Sequence, residues 1–187
     1  MATHPNRADA WSLLNEFTKS PALTTHSLAV ESAMRGYAVL FHEDEELWGM
    51  VGLLHDFDYE QFPLPEQHPY EGQKILKERG YSDELCLAIM AHAPHTGTAR
   101  ETRLQKAIFA VDELCGFIVA VTLVRPSKKL ADVTVKSVKK KMKSNGFAKN
   151  VSREDIITGA EELGLSLEEH IGHTLSFLQS ISNELGL

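Results

Sequence analysis

The chain has little cysteine: Cys86 and Cys115 are its only thiols, and they stand in no Cys-x-x-Cys spacing. That excludes a disulfide-stapled scaffold and a structural zinc site of the cysteine type, and fits free thiols buried in a reducing cytoplasm. No stretch approaches 18 uninterrupted apolar residues, so no membrane-spanning helix is expected. The opening Met-Ala-Thr-His-Pro-Asn-Arg lacks the basic-then-apolar pattern of a secretory leader, and a cytoplasmic location is expected. Alternation of apolar and polar residues, the mark of a half-buried strand, is missing too.

What is present is helical periodicity. With 187 residues, 43% hydrophobic and 24% charged, the chain is long enough for one domain with a sizeable core. The pattern predicts an all-α bundle. A first helix runs from Ala8 to Thr18, and a second, capped at Thr24 or Thr25, reaches Phe41 on the stripe Val30, Met34, Tyr37, Phe41. A third opens on the acidic run Glu43–Glu46 and ends at His55-Asp56. Residues 57–69 form a loop broken by Pro63, Pro65 and Pro69, and further helices follow to Gly80 and from Ser82 to Pro94. The longest apolar helix runs from Glu101 or Thr102 to Val124, a basic helix ends near Asn145-Gly146, and Ser152 and the Ser166–Glu169 capping box open the last two.

Charge is unevenly spread. The net charge is −7, yet residues 125–149 carry nine Lys/Arg against the single acid Asp132. A solvated helix face accounts for Lys136 to Lys143, while Arg125 and Lys128, next to the long helix, are candidates to hold a phosphate. Overall acidity and the lack of interleaved aromatics argue against nucleic-acid binding.

The chemistry-bearing residues sit on apolar stripes. His55 and Asp56 close the run Leu47–Leu54, and His55 falls on its buried face. A buried carboxylate costs several kcal/mol unless it is paired or bound to a cation, so the His-Asp step asks for a metal. His26 extends the stripe of the second helix, and His68 precedes a helix start. His92 lies on the Leu85–Ile89 face, and Asp112 sits in Ile108–Ile118, the most hydrophobic helix. Imidazole and carboxylate ligands without thiolate suit Mn, Fe, Co, Ni, Zn or Mg, and six candidates suggest two ions sharing a carboxylate. Asp58 and Glu60, just beyond the pair, are candidates for general acid or base. His95 is a candidate substrate or supporting group. His170 and His173 read as an exposed helix face, and His4 and His42 as surface residues.

The order His26, His55-Asp56, His92, Asp112 resembles the HD superfamily of metal-dependent phosphohydrolases, and the whole looks like its small stand-alone members from prokaryotes. The resemblance extends from about Leu23 to Leu123. It implies that His26, His55, Asp56 and Asp112 hold one metal. His68-Pro-Tyr-Glu-Gly72 is similar to a segment of two-metal phosphodiesterases, which implies that His68 and His92 hold a second ion with Asp56 bridging. The chain departs from the family where Phe57-Asp58-Tyr59-Glu60 replaces the lysine that often follows the His-Asp pair. It also reads His92-Ala-Pro-His95 in place of the signatures of cyclic-dinucleotide phosphodiesterases. The expectation is a single HD domain over 1–187, with its metal-binding core at about 23–123, a basic segment at 125–149 and C-terminal helices at 152–185. It would hydrolyse a small phosphorylated metabolite, a nucleotide being the foremost candidate, with one or two divalent metals. The same ligand set occurs in HD-fold di-iron oxygenases, to which the alternative reading belongs. A non-catalytic binding module would need a missing ligand, and none of the six is missing.

Overall fold

The computed structural model describes residues 5–187; His4 lies outside them. Among the described residues the secondary structure is helical throughout, without strands. The helices are α1 (Arg7–Phe17), α2 (Pro21–Phe41), α3 (Glu45–Leu54), α4 (Tyr70–Glu78), α5 (Asp83–His92), α6 (Arg103–Leu123), α7 (Val135–Met142), α8 (Arg153–Glu162), α9 (Leu167–Ser180) and α10 (Ser182–Leu185). Short 3-10 turns cover Pro94–Thr96 and Leu130–Asp132.

Local chemistry sets the boundaries. Asn6, Asp44, Ser82, Thr102, Ser152 and Ser166 each place a side-chain oxygen on a first-turn N–H, which contributes roughly 1 kcal/mol per helix. The second helix starts earlier than its apolar stripe suggests. Ser20, not Thr24 or Thr25, is the cap, and Pro21 occupies the first turn, where its missing N–H is not needed. His26 therefore stands in the second turn of α2. The last helix breaks at Ile181, leaving α10 as a separate short turn.

The long helix α6 lies at the centre, packed against α2, α5, α7, α8 and α9, which is why its sequence is apolar almost all round. Gly52 brings α3 against α2, since a Cβ there would stand 2.8 Å from the Val30 carbonyl oxygen. Gly159 does the same for α8, where a Cβ would meet Ala110 at 2.5 Å. Tyr37, Leu54, Phe57, Ile108, Leu114 and Phe117 are wholly buried, and each large apolar side chain removed from water contributes about 1.5–3 kcal/mol. Glu31, buried beneath α1, is paired with both Arg7 and Arg35, which compensates the charge it carries into the bundle.

His170 corrects the sequence reading. It is wholly buried, its Nε2–H donating to the Ala110 carbonyl at 2.9 Å and its Nδ1 accepting from the Tyr37 hydroxyl at 2.6 Å. Spacing along α9 could not reveal that α6 and α2 lie over this face. Burial without a counter-charge holds its pKa down to about 4. His173 is partly buried, its ring stacked on Phe177, and His42 is exposed at the left-handed end of α2.

Candidate metal centre

Four segments of α2, α3, α5 and α6, with the loop before α4, converge on one point. His26 comes from α2, His55 and Asp56 from the end of α3, His68 from the loop, His92 from the last residue of α5 and Asp112 from mid-α6. The ligand atoms of His26, His55, Asp56 and Asp112 all lie within 4.8 Å of one another, and so do those of Asp56, His68 and His92.

In the first group, His26 Nε2 stands 3.2 Å from His55 Nε2 and 3.0 Å from Asp112 Oδ1, while Asp56 Oδ2 lies 3.5 Å from His55 Nε2. In the second, Asp56 Oδ1 lies 3.1 Å from His68 Nε2 and 3.3 Å from His92 Nε2. Ligands held at about 2.1 Å from a shared ion stand roughly 3–4 Å apart, so both groups have the spacing of a coordination sphere. Asp56 belongs to both, one carboxylate oxygen to each.

The Nδ1 partners decide which ring nitrogen is free to ligate. His55 Nδ1–H donates to the Gly52 carbonyl at 2.7 Å, and His92 Nδ1–H donates to the Ile89 carbonyl at 2.5 Å. His68 Nδ1–H donates to Asp58 Oδ1 at 2.8 Å. Each bond leaves the Nε2 lone pair pointing inward, which is the ligating tautomer. Three such lone pairs and two carboxylates facing one another fit a cation, and the donor set fits a divalent metal.

Without a cation the same groups hold protons. Burial works against the charge on His55, yet Asp56 and Asp112 outweigh it and raise its pKa to about 9. Burial likewise opposes charge on His68, and hydrogen bonds to Asp56 and Asp58 raise it to about 9. Asp112 is pushed far down, its burial outweighed by His55 and His26.

The other expected site residues fall elsewhere. Asp58 is buried and does not face the centre; it accepts from His68 and, at 2.9 Å, from the Gly72 N–H, so it positions a ligand. The glycine of His68-Pro-Tyr-Glu-Gly72 is explained by this contact: a Cβ there would stand 2.7 Å from the Asp58 carboxyl carbon. Glu60 accepts from the backbone N–H groups of Lys19 and Ser20 at 2.8 and 3.0 Å, fastening the turn before α2. Arg125 and Lys128 are not brought to the centre. About 17 Å of helix separates Asp112 from the end of α6, and Lys128 lines a surface depression with Ser182, Asn183 and Gly186. On α7 Val138 is buried, Lys136 and Lys140 are exposed, Lys139 pairs with Glu168 and Lys141 lies over the Phe147 ring.

A cleft of about 190 Å³ opens on the centre, lined by the ligands His68, His92 and Asp112 together with His95, Phe109, Glu113 and Asp155. His95 Nε2–H donates to the His68 carbonyl at 2.9 Å. Glu113 is held up at about 7 by burial and by Asp112, though it accepts from the Ser152 N–H. Sequence reasoning missed Glu113 and Asp155. Glu113 adjoins Asp112 and could have been suspected, but Asp155 carries no local signal.

An all-helical bundle gathering four histidines and two aspartates into two adjoining ligand groups defines a helical metal-binding protein. A family model for the HD domain matches residues 23–116, half of the chain, and the chain belongs to the HD-domain family. Membership brings metal-dependent, hydrolase-type chemistry. No curated protein and no solved structure matches the chain.

Proposed function

We propose that the protein is a metal-dependent phosphohydrolase acting on a small phosphorylated metabolite in the cytoplasm. The observation that carries this is Asp56, whose two oxygens face two separate ligand groups. Divalent ions held by these groups would acidify water and polarise a phosphoryl oxygen. His26, His55 and Asp112 would hold one ion and His68 and His92 the other, with Asp56 between them. Asp58 keeps His68 in its ligating tautomer through the Nδ1–H bond. The cleft, at about 190 Å³, is smaller than the roughly 300–1,000 Å³ of sites that engulf a drug-sized ligand. It therefore favours a compact phosphoryl compound. If a nucleotide is the substrate, its phosphate enters the cleft and its base stays outside.

The residues lining the cleft include no Lys or Arg, which keeps the di-iron oxygenase reading as the second proposal. A panel of phosphomonoesters and phosphodiesters, assayed with each of several divalent metals, tests the first reading. Turnover that depends on Mn, Co or Mg supports it. Two iron atoms per chain with a mixed-valence spectrum, and no ester turnover with any metal, would overturn it in favour of oxygenation.

A further inference from the structure

Gly116 stands one turn beyond Asp112 on α6, and nothing in the packing requires it to be glycine. At Gly36, Gly49, Gly52, Gly72 and Gly159 a Cβ would come within 3.0 Å of a neighbour, so close approach explains each. At Gly116 a Cβ would meet only the His26 ring, at the ordinary contact distance of 3.9 Å from Cε1 and Nδ1. Glycine is, after proline, the worst residue for a helix interior, and alanine would fit here without displacing anything. The residue nevertheless lies partly exposed, beside a metal ligand, in the long and largely buried helix α6.

His26 supplies the second observation. The other three ligand imidazoles each commit Nδ1 to a carbonyl or carboxylate. His26 Nδ1 has no hydrogen-bond partner among the described residues, and a Cβ on Gly116 would stand 3.9 Å from it. The segment 147–152 is fastened beside this stretch of α6. Ser152 N–H donates to Glu113, and the Phe147 ring packs edge-on against Phe117 at 5.4 Å. Gly116 and the partly exposed His26 thus lie together on α6 and α2 beside the first ligand group, with Glu113, one turn before Gly116, already in the lining of the cleft.

We infer that Gly116 is the residue that sets the size of the substrate. The organic group attached to the phosphoryl centre lies over Gly116, where an oxygen of that group can accept from His26 Nδ1–H. A side chain at position 116 would occupy that room. The substrate class is an organophosphoryl compound with a compact, oxygen-bearing substituent. The inference rests on the phosphohydrolase reading only in taking a phosphoryl group as the one held at the ligand groups.

The test is binding, so that it stands apart from turnover. Inorganic phosphate and 2-hydroxyethylphosphonate are titrated calorimetrically into the Mn-loaded wild type, Gly116→Ala and Gly116→Leu, with metal content and melting temperature measured in parallel. In Gly116→Leu the Kd of 2-hydroxyethylphosphonate should rise at least tenfold and that of phosphate should stay within about twofold, with metal content unchanged. Gly116→Ala should keep its metal and melting temperature and show a smaller rise, of a few fold, for 2-hydroxyethylphosphonate alone. Equal affinity for 2-hydroxyethylphosphonate in all three proteins overturns the inference, as does a wild type that binds phosphate but not 2-hydroxyethylphosphonate. If Gly116→Leu loses metal, Gly116→Ala decides, and phosphate weakened as much as 2-hydroxyethylphosphonate in that variant overturns the inference. A wild type that binds both anions but hydrolyses no ester refutes the phosphohydrolase reading, while the comparison of variants still decides the role of Gly116. Failure to bind either anion overturns both.

Discussion

His170 gives the fold a built-in acid sensitivity whose size can be worked out. Folded, it is buried and neutral, with a pKa near 4; unfolded, it returns to about 6.5. Above pH 6.5 both states are neutral and its contribution to stability is complete. Below that the unfolded chain binds a proton that the folded chain refuses, and stability falls until the pH reaches about 4. At 1.36 kcal/mol for each tenfold change in proton affinity, the loss is about 3 kcal/mol, a large share of a typical domain's stability. The assay is urea unfolding of chelator-treated protein at several pH values from 7.5 to 4, for the wild type and for His170→Gln. Losing the bonds to Tyr37 and Ala110 gives the variant a fixed penalty, while the acid-sensitive ligand cluster is common to both proteins and cancels. The stability advantage of the wild type should therefore shrink by about 3 kcal/mol across the range. Parallel curves, with a difference that does not vary with pH, would refute a buried neutral histidine.

The remaining predictions concern the metal centre. His68→Ala and His92→Ala should each lower metal content from about two ions per chain towards one, whereas His26→Ala should disturb the first ion; unchanged stoichiometry in both of the former would return the site to a single metal. Asp58→Asn, which weakens the hold on His68 Nδ1, should reduce affinity for one ion about 10–100-fold and leave the other in place, as read by titration against a chromophoric chelator. Because His55 and His68 hold protons up to about pH 9 in the absence of metal, each must release one on binding. Apparent affinity should then rise about tenfold per pH unit, for each proton released, between pH 6 and 9; affinity that is flat with pH would show that the imidazoles are already deprotonated.

The sequence by itself determined the fold class and the roster of ligand candidates, because both depend on short-range rules. A period of 3.6 residues marks a helix wherever the chain runs. A charged or ligating residue on an apolar stripe, such as Asp112 or His55, is anomalous before any neighbour is known. Helix ends were legible where a capping residue made a local bond, as at Ser82, Thr102 and Ser166, and misread at Ser20, where the apolar stripe starts later than the helix. What the tertiary structure decided was everything set by contacts between distant segments. Only the packing of α3 against α5 and α6 shows that the two oxygens of Asp56 face different partners. Asp58 and Glu60 read alike in sequence, two residues apart beside the same motif. The fold buries one against His68 and Gly72 and spends the other on the backbone of Lys19 and Ser20. Arg125 and Lys128 adjoin the metal-bearing helix in sequence, but an α-helix advances about 1.5 Å per residue and carries them well away from it. His170 looked solvated because helical spacing describes one helix at a time, and burial is a property of the helices that cover it.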